Sequence, residues 1–82
     1  MTRLFLPGWY DVYEVRGAVD FPIARVEAGN PLEALGKTVP KGCSLVGLWR
    51  NDATGYCIAE IRERGSCIVK TWYARLAERV EP

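Results

Sequence analysis

Histidine is missing altogether from this 82-residue chain. Its absence removes the commonest general base, the commonest partner of a catalytic thiol and a standard zinc ligand. Long apolar runs are missing too. The longest cover a few residues, against about 20 needed to cross a bilayer as a helix, so no transmembrane segment is expected. The opening MTRLFLPGWYD carries one basic residue and an apolar run too short for a signal-peptide core, so a cytoplasmic protein with reduced thiols is expected. Charge of one sign is lacking as well: 11 Lys and Arg against 10 Asp and Glu give +1, which supplies no general field for nucleic acid or an anionic membrane. The eight glycines are dispersed, and neither G-x-G-x-x-G nor G-x-x-x-x-G-K occurs, so phosphate-cradling loops are absent.

Cysteine is present but sparse, at Cys43, Cys57 and Cys67. Structural zinc takes four ligands, usually with close pairs such as C-x-x-C, and three distant thiols without histidine do not supply them. An odd number leaves one thiol over if two pair, which argues against a disulfide framework. Free cysteine packs as a small hydrophobe, and all three are expected to do so here. No metal, no cofactor and no catalytic residue is expected. The acidic residues form no motif with a mechanism attached, and the chain is read as a non-enzyme.

Hydrophobic residues make up 49% of the chain and charged residues 26%, the balance of a folded globular protein, and residues 1–82 are expected to form a single domain. WYDVYEVRG alternates as a strand, with Trp9, Asp11, Tyr13 and Val15 on one face and Tyr10, Val12, Glu14 and Arg16 on the other. FPIARVEA reads as a second strand forming a hairpin with the first, and Pro22 marks it as an edge. In AGNPLEALGKTVPKG, Asn30 is placed to cap a helix, Pro31 to begin it and Glu33 to complete a capping box, while Gly36, Pro40 and Gly42 limit it to two or three turns. CSLVGLWRN and YCIAEIRE read as a third and fourth strand paired across the NDATG turn.

The next turn, Glu63–Arg64–Gly65, suits a three-residue loop with glycine in the left-handed conformation. That register sets Ile61 opposite Cys67, Ala59 opposite Val69 and Cys57 opposite Thr71, making the cysteine side the core face. The tail ARLAERVEP either extends the fifth strand or forms a short helix. The expected fold is α+β: a mostly antiparallel five-stranded sheet in the order ββαβββ with one short helix packed on one face.

Under this register Tyr56, Ile58, Ile68, Lys70 and Trp72 share the face away from the cysteines. Aromatic and aliphatic residues framed by charge have the make-up of an interface core with a polar rim, so these five are the candidate binding residues. Of Trp9, Tyr10, Tyr13 and Trp49, two are expected in the core. A protein partner is favoured. Single-stranded nucleic acid is the alternative, through the same aromatics with Arg62, Arg64, Lys70, Arg75 and Arg79, against which Glu60, Glu63, Glu78 and Glu81 are interleaved. The edge away from Pro22 could accept a strand from a second copy, giving a homodimer. A compact chain with balanced charge and no catalytic motif is similar in build to the small inhibitors of phages and mobile elements, anti-CRISPR proteins among them. That similarity of build implies an inhibitor or adaptor.

Overall fold

In the computed structural model, which describes residues 7–51 and 54–77, the elements follow the expected order. They are β1 (Gly8–Arg16), β2 (Val19–Ala28), α1 (Pro31–Thr38), β3 (Cys43–Asn51), β4 (Tyr56–Glu63) and β5 (Val69–Leu76). All five strands join one antiparallel sheet in the spatial order β2-β1-β5-β4-β3. One sheet with one helix on it makes the fold α+β. The strand part of the tail extends β5 to Leu76, and residues 78–82, where its other half falls, lie outside the described residues.

The helix begins where local chemistry dictates. Asn30 Oδ1 accepts the Glu33 N–H at 2.8 Å, and Pro31 occupies the first turn, where a missing N–H costs nothing. The Glu33 carboxylate reaches one residue further back than the usual box, accepting the Gly29 N–H at 2.9 Å. Gly36 is inside the two-turn helix and does not end it. Ala34 and Leu35 turn inward with Pro31 onto Tyr10, Val12, Cys57, Ala59, Ile61, Trp72 and Ala74, which form the core with Ala28. α1 lies over β1, β2, β4 and β5. The inward side chains of β3, Leu45 and Leu48, stay largely exposed.

The alternation in β1 is as expected, with Tyr10, Val12 and Glu14 buried. The register of the last hairpin is not. Cys57 pairs with Ala74, Ala59 with Trp72 and Ile61 with Lys70, three residues further along β5 than the short loop requires. Gly65 does adopt the left-handed conformation (φ +79°), and the Ser66 N–H closes the turn onto the Glu63 carbonyl at 3.0 Å. However, Ser66–Ile68 then run outside the ladder, with the Ile68 N–H held by Ser66 Oγ at 3.0 Å. Because a strand's side chains alternate, an odd shift exchanges the faces of the whole strand. The exchange buries Trp72 and Ala74 where the shorter loop would have buried Thr71 and Val69, a larger gain of apolar area.

Two further expectations change with it. Only Tyr10 of the four amino-terminal and third-strand aromatics is buried; Trp9 and Trp49 are exposed. Cys57 is buried and Cys43 partly so, but Cys67 stands exposed in the loop before β5, since it was the slipped register that placed it in the core.

Candidate binding face

Cross-strand partners share a face, so the pairing defines what the sheet presents away from the helix. One row runs Asn51, Tyr56, Arg75, Asp11 and Arg25; the next runs Trp49, Ile58, Tyr73 and Tyr13. No described element lies over them. Four aromatic rings from four strands therefore form a continuous strip. Tyr13 and Tyr73 stack with centroids 5.0 Å apart and planes inclined by 19°, Tyr56 tilts against Tyr73 at 5.7 Å, and Trp49 meets Tyr56 edge to face at 5.8 Å.

Polar groups pin the strip at one end. Tyr73 donates its hydroxyl hydrogen to Asp20 Oδ2 at 2.6 Å; burial, then this bond and the aspartate charge, push its ionisation up to about 12. Burial, seconded by Asp20, raises that of Tyr56 too. The Arg75 guanidinium lies 5.2 Å from the Tyr13 ring and donates to its hydroxyl at 3.3 Å. Arg25 forks onto Asp11 at 2.6 and 3.1 Å. These hydrogen bonds and the Arg25–Asp11 ion pair hold the polar ends of the strip in place.

The opposite face holds a different cluster. Trp72, 6% exposed, donates its indole N–H to Glu14 Oε2 at 2.7 Å, and Glu14, 5% exposed, also accepts from Arg16, with Lys70 Nζ 4.0 Å away. The Arg16 hydrogen bond holds the Glu14 carboxyl below its ordinary value against the opposing effect of burial, with Trp72 and Lys70 adding to it. Every polar atom of this buried group is thereby satisfied, which is what lets a carboxylate sit beside an indole in a small core.

Of the five residues expected to share one surface, the structure brings together only Tyr56 and Ile58. Trp72 is a core residue, and Lys70 shares its face, bridging Glu14 and, at 3.6 Å, Glu63. Ile68, 68% exposed, projects from the loop. The register shift explains all three displacements. Tyr73 and Arg75 take their places on the open face. The alternation of Trp72, Ala74 and Leu76 against Tyr73 and Arg75 was the available signal, as apolar residues fall on one side of it alone. Among the described residues, no three His, Cys, Asp or Glu side chains come together as a metal-holding group. No family model matches the chain, and no curated protein or solved structure matches it.

Proposed function

We propose that the chain is a non-enzymatic protein-binding module, an inhibitor or adaptor, that engages its partner through the sheet face carrying Tyr13, Trp49, Tyr56, Ile58 and Tyr73. The observation behind this reading is the aromatic strip on a face that no described element covers. Tyrosine, tryptophan and arginine dominate the energetics of protein interfaces, and residues already held in place lose little entropy on binding. Nucleic acid is less well supported. Base stacking needs free ring faces, and those of Tyr13 and Tyr73 are turned to one another. Phosphates would meet Asp11, Asp20, Glu27 and Glu60 interspersed with Arg25, Arg62 and Arg75, of which Arg25 is already paired.

The test uses tagged wild type, Tyr56→Ala, Ile58→Lys and, as a control away from this face, Lys41→Glu, incubated with lysate of the cells that make the protein, with and without nuclease. The reading expects a stoichiometric protein retained by wild type and Lys41→Glu and lost by Ile58→Lys, with Tyr56→Ala weakening the purified complex by about 2 kcal/mol. All variants are first checked for an unchanged melting transition. Recovery of nuclease-sensitive material alone would transfer the site to nucleic acid.

A further inference from the structure

The sheet has two edges, and they are not equally protected. β2 is interrupted by Pro22, breaks register opposite Val12 and Tyr13, carries Asp20, Arg25 and Glu27, and has the Glu27 carbonyl engaged by Lys37 Nζ at 2.6 Å. These are the usual devices against strand addition. β3 has no proline, and Arg50 is its sole charged residue. Its side chains Leu45, Val46, Leu48 and Trp49 are exposed. One irregularity, between Leu45 and Gly47, disturbs its upstream half, while Gly47–Asn51 pairs regularly with β4.

That regular half contains both a knob and a hole. Trp49 stands 55% exposed on the open face. Two residues away on the same face, Gly47 leaves a depression of ≈ 400 Å³ walled by Trp49, Ile58, Glu60 and Thr71. Leu48 lies midway between them and points to the other face. We propose that β3 pairs antiparallel with β3 of a second copy, about a two-fold axis at Leu48, joining two sheets into one of ten strands.

Such an axis sets each residue opposite the one equally far beyond Leu48. Trp49 then meets the partner's Gly47 and fills its depression, and the same contact repeats on the other side of the axis. An indole across from a strand glycine covers the backbone that glycine leaves bare. The Glu60 carboxylate lies over Gly47, its Oε1 2.8 Å from where a Cβ would stand, so an incoming indole has to move this flexible side chain aside and then finds in it an acceptor for its N–H. On the helix face, Leu48 meets the partner's Leu48. Arg50 faces the partner's Val46, so no two like charges are opposed. The contact takes Trp49 and borders Ile58, both also on the open face, so the dimer draws that end of the strip into its seam and leaves Tyr13, Tyr56 and Tyr73 free of it.

The pairing is short, at the small end of specific interfaces, so the dimer is expected within about 1 µM to 1 mM. Sedimentation equilibrium of the purified chain across that range should show mass rising from 9.2 kDa toward twice that value. Trp49→Ala, at an exposed site, should keep its circular dichroism spectrum while the dissociation constant rises at least about tenfold. The register is read by oxidative cross-linking in a Cys43→Ser, Cys67→Ser background with copper–phenanthroline. Leu48→Cys should cross-link to itself, because residues directly opposite lie within disulfide reach, and Arg50→Cys should not. A chain that stays monomeric to 1 mM overturns the proposal. A dimer that cross-links through Arg50→Cys and not Leu48→Cys also overturns it, as does one unaffected by Trp49→Ala.

Discussion

Trp72 and Tyr73 are neighbours in the chain, yet they stand on opposite faces of β5 and put their aromatic rings to different uses. Trp72 is enclosed by the helix side of the sheet, and its one polar atom is satisfied by a carboxylate that is itself enclosed. Tyr73 is half-buried in a strip of rings, and its hydroxyl is directed to an aspartate at the surface. The covered face is apolar with one fully bonded charge cluster. The open face mixes rings with ion pairs, an arrangement that water can reach. One face is therefore closed around the core and the other is left to solvent.

The comparison can be broken most directly by truncating each residue. Trp72→Ala should cost about 3–5 kcal/mol through lost contacts and a cavity, and it strips a partner from Glu14. An 82-residue chain has roughly 4–12 kcal/mol in all, so this variant should lose at least about a quarter of its stability, read as a much lowered midpoint in urea titrations. Tyr73→Ala, which forfeits ring pairing on a hydrated face, should cost about 1–2 kcal/mol. Equal costs would mean that the faces do not differ as described.

The cysteines sharpen the same contrast at lower cost. Cys57→Ser places a hydroxyl in the core beside Ala74 and should destabilise by about 1–3 kcal/mol, whereas Cys67→Ser should change stability by less than about 0.5 kcal/mol. In the native protein a thiol reagent should modify Cys67 at once and Cys57 only after unfolding.

The subtlest effect is one of pH. Because Glu14 ionises below its ordinary value in the folded chain, its contribution is complete above the unfolded carboxylate range and disappears as pH falls through the lowered folded value. Wild type should accordingly lose stability more steeply than Glu14→Gln below about pH 5, measured as denaturation midpoints from pH 7 to 3. Parallel curves would remove the carboxylate from the account of how the covered face holds an ionised group.

How much of this could be read in the sequence depended on how locally each feature is determined. The helix start could be read because Asn30, Pro31 and Glu33 act within four residues of one another. β1 could be read because its alternation needs no partner. The last hairpin turned on a choice between a tight loop after Gly65 and a looser one including Ser66–Ile68, and that choice is decided by whether Trp72 reaches the core. The gain lies in tertiary packing, and the alternation of Trp72, Ala74 and Leu76 against Tyr73 and Arg75 is the one local pattern that points to it. Tyr56 and Ile58 fall on one face in both readings because β4 sets that by itself. Tyr73 was missed because a residue on β5 inherits its face from the register.

The order of the strands also bears on synthesis. β1 is an interior strand whose flanks are filled by β2, its immediate successor, and by β5, the last strand to be made. A nascent chain that has emerged only as far as β4 holds Tyr10 and Val12 on a strand with one bare flank, while the Ala74 and Trp72 that pair with Val12 and Glu14 are still to come. Contacts of such long sequence separation form slowly. For the seconds of translation, the unfinished sheet would therefore offer neighbouring polysomal chains an apolar strand that the completed protein encloses between β2 and β5.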